Sequence, residues 1–172
     1  MSTLTAAVQT RITWNNVDAL DLSSITDQSA LDVLKQIASG TAVDQCDVVW
    51  HDERSINAGA NDDLVLSALT QTMYGSTVTK AFAKIKYVLI YVKSTTSGDK
   101  LIIKSSVTNS ILTPFNGINT AQLVIGADSA AMPIVNKKDG FAVTVGTGDV
   151  LRINNPGAGA VTYQIAILGT SA

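Results

Sequence analysis

Apolar and polar positions alternate along most of the chain, and this period of two is typical of β-strands. In residues 161–167 the bulky apolar side chains Val161, Tyr163, Ile165 and Ile167 share one parity, while small or polar side chains share the other. Segments rich in Gly, Asn and Asp interrupt the alternation about every dozen residues, a spacing typical of antiparallel sandwiches and barrels. The pattern therefore predicts an all-β protein, an antiparallel β-sandwich.

The amino-terminal third gives a mixed pattern. Alternation over residues 8–14 predicts a first strand, which Asn15 and Asn16 would end with a turn. Residues 29–39 instead carry Leu31 and other apolar side chains at helical spacing, which predicts one short helix near the amino terminus. The competing interpretation makes part of this segment an early strand.

The segment over residues 85–93 differs from the other strands because apolar side chains occupy both parities. A sandwich has only one interior, and few helices are available to cover a second apolar face. Either loops fold over that face, or it contacts another copy of the chain. We expect the second arrangement, and the predicted interface comprises Tyr87, Val88, Ile90, Tyr91 and Val92.

Composition limits the classes of protein to consider. The 172 residues are enough for a single domain, and 46 % apolar residues indicate a packed core. Only 15 % of residues are charged, and a surface with so few charges is typical of a protein that associates with copies of itself or with partners. The net charge of −2 without a basic cluster argues against nucleic-acid binding. No stretch approaches the roughly 20 apolar residues that span a bilayer, so no membrane partner is expected.

Residues with reactive side chains are few. His51, Asp52 and Ser55 suggest a Ser, His and Asp triad, but neighbouring strand residues point to opposite faces and no nucleophile elbow is present. The lone Cys46 is expected to be a small buried hydrophobe. One Cys and one His cannot form a usual zinc site. We therefore expect no catalytic residue, no cofactor and no metal, and we expect that the chain is not an enzyme.

Two further patterns have competing interpretations. Asn61, Asp62 and Asp63 form an oxygen-rich cluster that suits a hard cation, but the spacing of an EF-hand is absent and a solvated turn is expected. Aromatic residues could form a stacking platform for sugars, although most fall within apolar alternation and are expected in the core or an interface. These aromatic residues are Trp50, Tyr74, Tyr87, Tyr91 and Tyr163.

Several motifs resemble small virion structural proteins of tailed bacteriophages. They are HDERSINAGANDDLVL at residues 51–66, LT at 69–70, YG at 74–75, FAKIK at 82–86, GFAVTVGTGDVLRINN at 140–155 and ILGT at 167–170. The resemblance covers about the last two thirds of the chain. It implies a jelly-roll-like sandwich that has neither a cofactor nor an active site. Residues 1–41 carry no part of it and are expected to contact partners.

These observations together suggest a decoration or cement protein on the exterior of a phage capsid. Its expected partners are the major capsid protein and copies of itself, assembled as a homotrimer, and its expected site of assembly is the host cytoplasm. The alternative is a carbohydrate-binding or receptor-binding module of a head or tail fibre. An enzyme is a third, more distant alternative, because no convergent set of polar residues is evident.

Overall fold

A computed structural model describes residues 3–19, 24–105 and 108–172 of the chain. These residues form fourteen strands and one 3-10 turn, Thr113–Phe115. The strands are β1 (Ala6–Ala19), β2 (Ser24–Ser39), β3 (Gln45–Cys46), β4 (Val48–Ile56), β5 (Asn61–Val65), β6 (Leu69–Met73), β7 (Ser76–Lys80), β8 (Lys84–Val92), β9 (Lys100–Lys104), β10 (Gln122–Gly126), β11 (Ser129–Val135), β12 (Phe141–Ala142), β13 (Val150–Asn154) and β14 (Val161–Thr170). Within the described residues no helix is long and apolar enough to cross a membrane.

The chain divides into two compact units. The smaller unit, Thr5–Ala38, contains β1 and most of β2, which pair antiparallel as a long two-stranded ribbon; we call it the arm. The larger unit contains Ser39–Ala172. The sequence pattern was interpreted as one domain over residues 1–172 with a distinct segment at 1–41, and the structure separates that segment near the same boundary.

The larger unit contains two antiparallel four-stranded sheets. Their strand orders are β11-β8-β14-β4 and β10-β9-β13-β5, and the short β12 also pairs with β8. The pairs follow from folding the chain back on itself: β4 with β14, β5 with β13, β8 with β11 and β9 with β10. This order of eight strands is that of a jelly roll. The predicted all-β, jelly-roll-like sandwich is confirmed.

The two sheets enclose one hydrophobic core. Buried side chains of alternate parity from both sheets form a single cluster, to which β14 contributes Val161, Tyr163, Ile165 and Ile167. These are the residues whose alternation is clearest in the sequence. On the opposite parity of the same strand, residues 162–168 are half-buried or exposed, as expected for a sheet with one face in water.

The apolar segment over residues 85–93 coincides, but for one residue at each end, with β8, an inner strand of its sheet. Val88, Ile90 and Val92 are 0 % exposed in the core of this chain, so these three side chains are not available to contact another copy. Tyr87 is also buried, while Tyr91 is half-buried on the outer face. The predicted interface therefore combined residues of both faces of β8. Only the outer face can take part in a contact.

The short helix predicted within residues 29–39 does not occur, because these residues belong to β2. The predicted first strand does occur, but β1 continues through Asn15 and Asn16 instead of turning there. The apolar residues of the segment satisfy a period of two as well as a helical period. Pairing with β1 decides between them, since one ladder pairs the backbone groups that the two strands point towards each other.

The burial of β8 predicts unequal effects for two neighbouring residues. Ile90→Ala should destabilise the folded chain by about 2–5 kcal/mol, because it leaves a cavity in the core. Leu89→Ala, on the exposed face of the same strand, should cost about 1 kcal/mol or less. Urea unfolding of both variants measures the difference. Equal losses would contradict this assignment of the two faces of β8.

Candidate functional site

The arm has one apolar face. Its register places Ile12 opposite Leu31 and Thr10 opposite Val33, and cross-strand partners in a ribbon lie on the same face. Ile12 and Leu31 are 60 % and 59 % exposed, and Trp14 and Val33 on the same face are also exposed. Four large apolar side chains on one side of a two-stranded ribbon form a surface that water solvates poorly. We call it the arm face.

The opposite side of the arm is more polar and its charges are paired, although Leu34 and Val17 are exposed there, eight residue pairs apart. Gln9 Nε2 donates hydrogen bonds of 3.0 and 3.1 Å to the two carboxylate oxygens of Asp32. Arg11, directly opposite Asp32 in the register, lies 3.9 Å from the same carboxylate. The two sides of the arm therefore differ in character, as they would in a strand pair that covers something with one side only.

A shallow groove of about 370 Å³ lies on the outer face of the β11-β8-β14-β4 sheet. Two cross-strand rows form its floor, Leu89–Ala166–His51 and Tyr91–Gln164–Glu53. The depression follows from the small side chain of Ala166 between two larger ones. The groove has no deep pocket that would enclose a small molecule.

The polar groups of this groove already bind one another. Glu53 Oε2 accepts hydrogen bonds from Lys93 Nζ at 2.9 Å and from Gln164 Nε2 at 2.8 Å, and the hydrogen bond from Lys93 is the main reason that the pKa of Glu53 is lowered. The Tyr91 hydroxyl donates to Asp128 at 2.7 Å, which raises the pKa of Tyr91. These contacts form a solvated polar surface without a free acid or base aimed at a common point.

A partly buried polar cluster joins strands of both sheets. Asp62 on β5 accepts hydrogen bonds from Arg54 Nε on β4 at 2.5 Å and from the Tyr163 hydroxyl on β14 at 2.8 Å. Burial, reinforced by the Asp62 carboxylate, raises the pKa of Tyr163, and the hydrogen bond to Asp62 raises that of Arg54. The cluster fixes the turn between β4 and β5 over the core.

The oxygen-rich cluster at residues 61–63 is engaged in such contacts. Asp62 binds Arg54 and Tyr163, while Asp63 forms a two-hydrogen-bond pair with Arg152 at 2.6 Å. No group of three or more potential metal ligands occurs among the described residues. The cluster is not the solvated turn expected from the sequence, because all three residues lie in β5 and pair with β13.

His51 and Ser55 lie on the same strand, four residues and about 13 Å apart, which is too far for a hydrogen bond. Asp52 is bound to Arg54 at 3.0 Å on the other side of the strand. Cys46 is fully buried, and burial raises the pKa of its thiol, which disfavours the reactive thiolate. These side chains do not form a catalytic set.

The possible sugar-stacking residues are separated by the fold. Trp50, Tyr87 and Tyr163 are buried, and Trp50 Nε1 donates to the Thr70 carbonyl at 2.9 Å. Tyr74 is fully exposed in the turn between β6 and β7, and Tyr91 lies in the groove. A second, more polar groove of about 480 Å³ between β4 and the β6–β7 hairpin has no aromatic residue in its lining.

No protein-family model matches the chain, and no curated protein matches it. The fold, the arm face and the outer face of the jelly roll are therefore the features that bear on function. The arm face is the one that sequence reasoning missed. Alternation in the sequence could have indicated it, since Ile12 and Trp14 share one parity in the first segment and Leu31 and Val33 share one parity in the second.

The buried cluster predicts a pH dependence. Because folding raises the pKa of Tyr163 above its ordinary value of 10.0, its contribution to stability is complete below about pH 10 and is lost as the pH rises further. Tyr163→Phe should cost about 1 kcal/mol at neutral pH and make the loss at alkaline pH less steep. Urea unfolding between pH 8 and pH 11, values set by that ordinary pKa, measures this.

The control for this experiment is Tyr74→Phe, whose side chain is fully exposed and should leave the alkaline slope as in the wild type. Tyr87 and Cys46 keep part of the slope in Tyr163→Phe, since burial raises their pKa values too. A slope that Tyr163→Phe leaves unchanged would show that this phenol does not stay protonated in the folded chain.

Replacing His51 is expected to change neither stability nor assembly appreciably. The residue is exposed, lines both grooves and lies far from Ser55, so His51→Ala should change stability by no more than about 0.5 kcal/mol and leave assembly intact. Light scattering and thermal unfolding check both properties. A variant that folds but no longer assembles would identify His51 as part of a contact.

Proposed function

We propose that this protein is a structural component of a virus particle, a decoration or cement protein that binds the major capsid protein on the capsid exterior as a homo-oligomer. The exposed apolar arm face is the observation that carries the proposal. A chain that has its own closed core and, in addition, an exposed apolar surface is suited to bind another protein through an extended interface.

The distribution of polar groups supports the same function. Glu53, Asp62 and Asp63 are bound to cations or hydrogen-bond donors of their own chain, so the described surface offers few groups to a small-molecule substrate. Low overall charge favours extended contacts between apolar surfaces. When many copies bind one shell, their contacts together give a higher overall affinity than a single contact does. The jelly roll also occurs in capsid proteins, which agrees with the proposal at the level of the fold.

The alternative, a glycan-binding module, has weaker support. The jelly roll occurs in lectins as well. A sugar site needs aromatic faces beside convergent polar groups, however, and the fold buries three of the five aromatic side chains considered. The resemblance to phage virion proteins stays a prediction. So does the homotrimer, for which the outer face of β8, with Leu89 and Tyr91, is one exposed surface.

Reconstitution tests the proposed function. Purified protein is mixed with capsids from which it has been stripped, and stained gels give its copy number relative to the major capsid protein in native and refilled particles. We expect many copies per particle, saturable rebinding and greater resistance of refilled capsids to heat. A scarce protein that does not rebind capsids but binds immobilised glycans would contradict the proposal and favour the fibre module.

A further inference from the structure

We propose that the arm face binds the arm face of a second copy of this chain, in a two-fold symmetric contact centred on the pair Ile12–Leu31. The inference rests on the homo-oligomer part of the proposed function and names the surface that makes it. It concerns the arm alone and does not depend on a capsid being present.

The arm needs a partner because a ribbon of two strands has no interior. An isolated two-stranded hairpin is at best marginally stable in water and requires a third strand or a packed face. The β1–β2 ladder continues for fourteen residue pairs, yet the arm face remains exposed among the described residues. Packing on another apolar face would supply the missing layer.

The charges of the arm face indicate what that partner is. Lys35 lies opposite Val8, four residues to one side of the Ile12–Leu31 pair, and Asp27 lies opposite Asn16, four residues to the other side. A two-fold axis through the centre, perpendicular to the strands and between the ribbons, brings each Lys35 over the Asp27 of the other copy. The face is therefore complementary in charge to itself, as an isologous contact requires.

The sizes of the side chains follow the same symmetry. The rotation sets Trp14, the largest side chain of the face, over Thr10, and Ser29 over Val33. Large side chains thus meet smaller ones, which allows two faces to interdigitate. At the centre, Leu31 and Ile12 each meet their own equivalents.

The area is sufficient for a specific contact. A ribbon of 14 residues per strand is about 48 Å long and two strands are about 10 Å wide, so two facing arms remove about 1,000 Å² from water. This lies near the lower limit for biological interfaces. One such contact is expected to be reversible, and several on one particle would hold together.

Two other arrangements compete with this one. The polar side of the arm is a poorer contact surface, because Arg11 already neutralises Asp32 and Gln9 donates hydrogen bonds to it. Pairing edge to edge through β2 would also join two arms, and it could also align Lys35 with Asp27. It differs in leaving the two β1 strands about 14 Å apart.

Cross-linking separates these arrangements. Single cysteines are placed at Ile12 or Leu31 in the full-length chain carrying Cys46→Ala, with a short bismaleimide that spans the roughly 10 Å between facing sheets. We expect both Ile12→Cys and Leu31→Cys to give covalent dimers at micromolar concentration. The matched controls, Thr13→Cys and Ala30→Cys, form a cross-strand pair on the polar side and should stay monomeric on the gel.

A charge exchange then tests the symmetry. In the Leu31→Cys chain, Lys35→Glu or Asp27→Lys alone places like charges together twice in each contact, and should lower the cross-linked fraction several-fold. An equimolar mixture of the two variants restores opposite charges at both places. We expect the mixture to cross-link as well as the parent. Because both residues are exposed, circular dichroism should show all variants folded.

The other outcomes separate the arm contact from the proposed function. Cross-linking at Leu31 but not at Ile12 would identify edge pairing through β2. Absence of cross-links in solution, together with loss of capsid rebinding in Lys35→Glu, would assign the arm face to the capsid protein and leave the proposed function standing. Arm pairing in a protein that does not rebind capsids would instead refute the proposed function while confirming the arm contact.

Discussion

β14 hydrogen-bonds to β4 along one edge and to β8 along the other, and the sandwich depends on these two ladders. Both partners lie far earlier in the chain, so neither can complete its sheet until the carboxyl-terminal strand has been placed. Tyr163 shows the consequence, because its ring lies in the core while its hydroxyl reaches Asp62 on the other sheet. Folding that requires such distant pairs is expected to be slow compared with helical proteins of this size.

The strand edges of the jelly roll also engage acidic residues within the chain. The acidic residues next to the sheets hold arginines across strand edges, as Asp62 holds Arg54 and Asp63 holds Arg152. Such pairs stabilise a particular register and remove acids from the surface that could otherwise act on a ligand. The outer face that remains is shallow, and it suits contacts by area better than it suits chemistry.

The arm differs from the jelly roll in having an apolar face that no second layer covers. In the jelly roll, each sheet covers the apolar face of the other, so the core needs nothing further from outside. In the arm, Ile12 and Leu31 have a cross-strand neighbour but no facing layer. An incomplete unit attached to a complete one gives the chain a means of association that does not compromise its own stability.

The sequence by itself determined the all-β class and, where the alternation is clear, the parity of the core residues, because a period of two is a local property. Val161, Tyr163, Ile165 and Ile167 are buried as that period predicts. It did not decide whether Leu31 belongs to a helix or a strand, nor which face of β8 is interior, because those answers depend on neighbours. Only the tertiary structure shows that β1 pairs with β2 and that β14 pairs with β8. Long-range pairing selects among local conformations that the sequence allows nearly equally.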